Sequence, residues 1–413
     1  MKDKPRCRLC GGHRLSHLLS LNDLPITHNL RKQPQDPDPR FTVQFHSCDG
    51  CGLLQIVHPI PADLLYSQAD TYTTGFQKPR HLDDLITTAV ARQDPGRAID
   101  IGCNDGTLME HLRRAGYTQV VGLEPNEVAA DIARKKGYSV YTGFLTDDQA
   151  EQIVEKEGPF DTLFLRHVVE HVAELDEFLA GVRKLLRDDG LLVLELPAVE
   201  ESFALGSPAI LWEEHVNYFT PAQAEYLLRR FGFQVCDRRN YAFGGGSMAF
   251  VAQKKAEPVS CASRIPDPAP TLGLLHDFAH GIERQKEELG SLVSAARSLG
   301  YQVMVYGAAP RSCLLVSVCG IADEIDFVVD DRQDIQHRLM PGTLHVVRSL
   351  PEVAGSAGNK LLCLLGVGSE NEFKVRKRIA DTLKAKTVHV SLFPPRDIMH
   401  SIAAAGQAIT AKK

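Results

Sequence analysis

Asp100-Ile101-Gly102-Cys103-Asn104-Asp105-Gly106 joins a short apolar run that begins at Ala98 to a helical pattern from about residue 107 to 115. Strand, glycine-rich turn and helix in that order open a crossover unit of an α/β sheet. The glycines let the backbone turn sharply and approach a ligand closely. The next apolar run, Val120-Val121-Gly122-Leu123-Glu124, ends in an acid followed by Pro125. A carboxylate there can accept hydrogen bonds from both hydroxyls of a ribose. Alone, Glu124 would read as a solvated strand end; its place after the glycine turn makes it a ligand candidate. A dinucleotide site uses similar parts, but the G-x-G-x-x-G string is absent.

Outward from that turn the pattern repeats. Residues 160–165 and 191–196 read as further strands, and 234–239 with 248–253 as an antiparallel end around glycines 244–246. Residues 81–92 read as an amphipathic helix, 254–272 as a linker rich in Pro, Ser and Ala, and 274–299 as a long amphipathic helix. A second α/β unit starts at Gln302-Val303-Met304-Val305-Tyr306-Gly307, with 327–330, 361–365 and 387–392 as later strands and a frayed end over 403–413. Strands alternating with helices predict doubly wound parallel sheets.

The front of the chain is different. Cys7-Arg8-Leu9-Cys10 and Cys48-Asp49-Gly50-Cys51 are two C-x-x-C knuckles, the spacing of a four-cysteine zinc site. Disulfides are the alternative. No basic stretch followed by an apolar one marks a secretory signal, so a cytoplasmic setting is expected and favours metal. Four Cys ligands close the site, which makes the zinc structural. The remaining cysteines are scattered and carry no metal spacing. The expected division is a zinc-binding module over 1–75, an α/β ligand-binding domain over 76–255, a linker and helix over 256–298, and a second α/β domain over 299–413.

With 44% hydrophobic and 24% charged residues, the composition is that of a globular protein. No apolar run reaches membrane-span length, so no membrane partner is expected. A formal net charge of −6 gives no general attraction to nucleic acid.

Two histidine segments follow strand ends, where doubly wound sheets place ligand-facing residues. They are Arg166-His167-Val168-Val169-Glu170-His171 and Trp212-Glu213-Glu214-His215-Val216-Asn217-Tyr218-Phe219. An isolated histidine is commonly a satisfied structural residue. Here His215 adjoins two carboxylates, and a neighbouring Glu can orient an imidazole and hold its proton. His215, Glu214 and His171 are therefore the catalytic candidates.

Taken in order, the two zinc knuckles, the D-I-G-x-N-D-G turn, the E-H-x-x-Y-F segment and the C-terminal Rossmann-like unit resemble one family over nearly the whole chain. It is the zinc-containing sugar C-methyltransferases, S-adenosylmethionine-dependent enzymes of deoxysugar biosynthesis that act on nucleotide-linked 4-keto-deoxyhexoses. Tyr306-Gly307-Ala308-Ala309-Pro310-Arg311-Ser312 and Met340-Pro341-Gly342-Thr343 also resemble it. The resemblance implies a class I methyltransferase sheet over 76–255. It makes Asp100, Gly102, Asn104, Gly106, Glu124, Pro125 and His167 cofactor residues, with Gly102 and Gly106 beside the methionine and Glu124 on the ribose. It implies a base at His215 that removes the C3 proton next to the C4 ketone. Glu214 and His171 assist on the sugar side. Tyr66, Tyr72 and Trp212 would line the sugar site; Gly307, Arg311 and Ser312 would face the nucleotide. The expected partner is a nucleotide-linked sugar; relatives can work as monomers, and no oligomeric state is read from the chain.

The chain departs from the family at the sugar side. Trp212 stands where the best-known members carry a tyrosine whose phenol could donate to an enolate, leaving Tyr66, Tyr72 or Tyr218 as substitutes. The loop Phe243-Gly244-Gly245-Gly246-Ser247-Met248 lacks the family's His and Arg. An O-methyltransferase on a sugar is therefore the rival function. A zinc ribbon bringing a methyltransferase to RNA is disfavoured by charge, and a non-catalytic binder by the intact cofactor turn.

Overall fold

A computed structural model describes residues 5–61, 64–65, 79–255, 264–393 and 397–411. The candidates Tyr66 and Tyr72 lie outside the described residues. Strands β1 (Leu15–Pro25), β2 (Arg40–Cys48) and β3 (Leu54–Ile56) form an antiparallel ribbon behind the zinc knuckles. The next domain supplies β4 (Arg97–Ile101), β5 (Gln119–Glu124), β6 (Ser139–Thr142), β7 (Phe160–Arg166) and β8 (Leu186–Pro197). A short strand β9 (Asn217–Tyr218), then β10 (Phe233–Tyr241) and β11 (Ser247–Lys254), complete it. The last domain has β12 (Gln302–Tyr306), β13 (Phe327–Val329), β14 (Val347–Arg348), β15 (Lys360–Leu365) and β16 (Lys386–Ser391).

The central sheet runs β10-β11-β8-β7-β4-β5-β6, with β10 and β11 antiparallel as expected and the rest parallel. Residues of β4 and β7 are buried almost throughout, as a two-sided parallel sheet requires. Chain direction around the sheet reverses between β4 and β7, and ligands bind in the crevice past such strand ends. The C-terminal sheet, β14-β13-β12-β15-β16, is all parallel, with its own reversal between β12 and β15.

Three expectations change. The zinc-binding module expected over 1–75 is not set apart from the rest: β3 pairs with β9, so its sheet includes a strand of the middle domain. Leu24, Phe45 and Ile56 pack with Phe203, Leu211 and Tyr218 and with Leu275, Phe278 and Leu314 in one buried cluster. A small module thereby borrows the core that its own length denies it. The long helix spans Pro268–Ser298, starting inside the stretch read as linker. Asp267 caps it by accepting from Ala269 N–H at 3.1 Å, and Pro268 and Pro270 fall in the first turn, where no intrahelical N–H is needed. The end of the chain is not frayed: helix Ile398–Thr410, capped by Asp397, buries Ile402, Ala405 and Ile409.

Candidate active site

The turn after β4 holds Gly102, Asn104 and Gly106 at φ +73°, +49° and +75°. A Cβ on Gly102 would lie 2.5 Å from Val168 Cγ2, so only glycine lets the turn pass under the segment after β7. Asp105 braces the start of the following helix by accepting from Thr107 N–H at 3.1 Å and its hydroxyl at 2.7 Å. At the end of β5, Glu124 accepts from the backbone N–H groups of Asn104 and Asn126, each at 2.8 Å. Pro125 carries the chain into helix Glu127–Lys135, capped by Asn126. Two N–H donors fix the Glu124 carboxylate, and about two of its four acceptor sites are left for a ribose diol. Asp100 is buried beneath the turn; burial pushes its carboxyl up to about 7, against the pull of Arg166. These residues fit the cofactor expected from the sequence.

His167 sits just past β7 at φ +52° with its N–H donated to Glu195 O at 2.9 Å. Its ring lies 3.3 Å from Glu170 and 3.6 Å from Glu195. Glu195 has no exposed surface and accepts from Arg166 Nε at 2.5 Å and the Ser247 hydroxyl at 2.6 Å, with His81 Nε2 at 2.9 Å. Burial opposes the Glu195 charge, but Arg166, His167 and His81 hold its carboxyl well below the usual range. Burial likewise opposes charge on His167, yet the nearby carboxylates of Glu170 and Glu195 raise it to about 9. His167 thus belongs to an ion cluster between the cofactor turn and the glycine loop.

The segment from Trp212 to Tyr218 is held from both sides. Val216 N–H donates to Glu170 O at 2.8 Å, and Ile56 N–H donates to Val216 O at 3.0 Å. Arg8, inside the first zinc knuckle, reaches Ile56 O at 2.8 Å and Val216 O at 3.3 Å. Glu213 accepts from Thr27 N–H at 2.6 Å and its hydroxyl at 2.9 Å. His28 Nδ1 lies 2.6 Å from Glu214 Oε1. Glu214 O accepts from His171 Nδ1 at 3.1 Å.

His215 is sandwiched by this scaffold. Its ring stacks on Trp212 at 5.2 Å and 12°, and meets His171 edge-on at 4.8 Å and 84°. It makes no side-chain hydrogen bond to a described residue. Burial first, then the charges of His171 and His167, hold it well below the ordinary histidine range, so it is neutral at pH 7. Trp212 Nε1–H donates to Ala209 O at 3.0 Å, and the buried Tyr218 hydroxyl donates to Trp212 O at 3.1 Å. Both donors are spent on backbone.

At the knuckles, Cys7 and Cys51 Sγ are 3.5 Å apart, Cys10 and Cys48 Sγ 3.6 Å, and all four sulfurs lie within 4.8 Å of one another. A disulfide would need about 2.05 Å. Four sulfurs at about 2.3 Å from a tetrahedral zinc stand about 3.8 Å apart, close to what is seen. The cluster fits zinc.

Family models match three consecutive stretches: a zinc binding domain over 7–66, a methyltransferase domain over 76–237 and a C-methyltransferase C-terminal domain over 243–365. The C-methyltransferase NovU of Streptomyces niveus is 26% identical over 373 residues, covering 87% of this chain and 89% of that protein. The chain thus carries, in order, the zinc-binding, methyltransferase and C-methyltransferase C-terminal domains. It is an S-adenosylmethionine-dependent enzyme that methylates carbon. A ubiquinone biosynthesis O-methyltransferase of Agrobacterium fabrum is 41% identical over 140 residues, covering 32% of this chain and 54% of that protein. A solved S-adenosylmethionine-dependent methyltransferase of Archaeoglobus fulgidus is 18% identical, covering 43% of this chain and 97% of its own, with a TM-score of 0.34.

The nucleotide candidates of this C-methyltransferase do not share one face. Gly307, at φ +103°, brings its backbone so close to β15 that a Cβ would lie 2.5 Å from Gly366 O. Ser312 is fully buried and donates to that carbonyl at 3.2 Å. Arg311 lies over the Phe393 ring at 4.5 Å and donates to Gly244 O at 3.3 Å, joining the last domain to the glycine loop. The sequence reading missed Asp330, which accepts from Ala308 N–H at 2.8 Å and Arg332 N–H at 2.9 Å, repeating the Glu124 arrangement. Its signal was an acid at the end of a strand after a glycine turn. It also missed Thr27, His28, Glu170 and Glu195, whose contacts all reach across the chain.

Proposed function

We propose that this C-methyltransferase methylates C3, next to the C4 ketone, of a nucleotide-linked deoxysugar through a base-generated enolate. The state of His215 is the observation that carries the reading. A general base must be unprotonated and within reach of its proton, and His215 is neutral, free of side-chain hydrogen bonds to described residues, and clamped between Trp212 and His171. The C3 proton is acidic because its electron pair can delocalise onto the ketone oxygen. His215 takes that proton, and C3 becomes the nucleophile. A low histidine pKa costs driving force, which stabilisation of the enolate oxygen by a donor must offset. S-adenosylmethionine supplies the electrophilic methyl group.

The enolate oxygen needs a donor. Trp212 and Tyr218 have none to give, so we assign that role to His171, which its Nδ1 bond to Glu214 O anchors beside His215. Asp100, Asn104, Glu124 and Pro125 hold the cofactor with Gly102 and Gly106, and Arg311 takes the diphosphate, for which a planar guanidinium is suited. The zinc is structural. Among the described residues no helix is long and apolar enough to cross a membrane, and the enzyme works in the cytoplasm on soluble donors, without nucleic acid.

The test is proton exchange. Incubation with a 4-keto-6-deoxy nucleotide sugar in heavy water should give enzyme-dependent deuteration at C3, and a carbon-bound methyl once cofactor is added. Cofactor binding without exchange or C-methyl product across a panel of keto-sugars would sink the reading.

A further inference from the structure

We propose that His28, delivered by the zinc module, is a positioning residue for methyl transfer: it pins Glu214 in the place from which Glu214 anchors His171 beside His215. The inference rests on the catalytic reading above. His28 Nδ1 lies 2.6 Å from Glu214 Oε1, and Nε2 lies 2.9 Å from Leu65 O. Nε2 donates to the carbonyl, and the 2.6 Å approach of Nδ1 to a carboxylate is an ion pair, so the ring is held as an imidazolium. Among the described residues the charged groups facing it are Glu214 and Glu213, the latter 4.0 Å away. Burial opposes the charge, but the hydrogen bond and charge of Glu214, then Glu213 and the Leu65 carbonyl, raise His28 to about 9.

Glu214 passes this constraint on. Its carbonyl accepts from His171 Nδ1 at 3.1 Å, and its Oε2 stands 3.8 Å from the same nitrogen. One residue earlier, Glu213 is pinned by Thr27. Two adjacent residues of the zinc module therefore hold two adjacent residues of the catalytic loop. Without His28, Glu214 loses a close, largely buried counter-charge, and its carboxylate can shift toward His171 and alter its proton affinity. The rival occupant is a divalent cation, since ligand atoms of His28, Glu213 and Glu214 lie within 4.8 Å of one another.

The experiment has two arms on the full-length, zinc-loaded protein. The first is a nitrogen-15 NMR titration of the His28 ring in wild type and Glu214→Gln, which needs no sugar and survives failure of the catalytic reading. Both nitrogens should stay protonated past pH 8 in wild type, and the midpoint should fall by about two pH units in Glu214→Gln. The second compares kcat, KM and pH profiles of wild type, His28→Gln, His28→Asn, Glu214→Gln and the double variant His28→Gln/Glu214→Gln. The expected result is a kcat loss of about 10–100-fold for His28→Gln, with cofactor KM within about twofold and zinc content unchanged. The double variant should be no worse than Glu214→Gln alone. An ordinary titration of His28, additive losses in the double variant, or a second metal per chain with His28 unprotonated would each overturn the proposal.

Discussion

The proposed cofactor side and the proposed acceptor side of the site are built in opposite ways. Gly102, Asn104, Gly106, Glu124 and Asn126 come from one continuous stretch, tied by backbone N–H groups that donate to the Glu124 carboxylate. The acceptor side gathers Thr27 and His28 from the zinc module, Glu170 and His171 from the loop after β7, and Trp212 to His215 from a loop that pairs with β3. The first needs one crossover to fold. The second needs two domains to dock, and Arg8 between two zinc ligands is part of the docking. Cofactor binding should therefore outlast damage that stops turnover.

His215→Ala is the sharpest test of that separation. Turnover should fall about 1,000-fold or more, while S-adenosylmethionine affinity by calorimetry stays within about twofold. Equal loss of both would show the two sides to be one unit. Removing zinc with a chelator, or by Cys48→Ser, should lower soluble yield and reduce kcat of the folded remainder by about 100-fold through a displaced catalytic loop, with cofactor binding less affected. Full turnover in a zinc-free preparation would break the comparison. Glu124→Ala probes the other side: it strands the Asn104 and Asn126 N–H groups and should weaken cofactor binding by about 10–100-fold, with kcat at saturating cofactor little changed.

The smallest effect is on stability against pH. His28 and His167 are both raised to about 9 in the folded protein, above their ordinary 6.5. Their stabilisation is complete below pH 6.5 and is lost as pH rises through 9. A melting curve should shift down by roughly 2–6 °C between those limits, and His28→Gln should remove part of the shift. A flat profile would mean that neither ring is held as a cation.

The parts legible in the sequence were the ones whose physics is local. The knuckles at Cys7 and Cys48, the turn at Gly102 and the acid at Glu124 each declare themselves within a few residues, because a metal turn or a strand-end hydrogen bond is made by neighbours. The start of the long helix at Pro268 was misplaced because proline suits a first helical turn as well as a linker. The packed end of the chain was misread as frayed because its partners, in the C-terminal core, are distant in sequence.

Tertiary structure alone decided what each polar side chain was free to do. Ser312 and Gly307 were read as facing the nucleotide; in the fold both also close on Gly366 O, just past the end of β15. Tyr218 looked like a spare phenol and is committed to Trp212 O. His28 carried no motif at all and became the counter-charge of Glu214. The sequence by itself determined the architecture and the cofactor turn, since periodicity and turn chemistry are properties of the chain. Which histidine is neutral, which is charged and which carboxylate is paired depends on burial and on groups brought in from hundreds of residues away, and only the folded chain sets those.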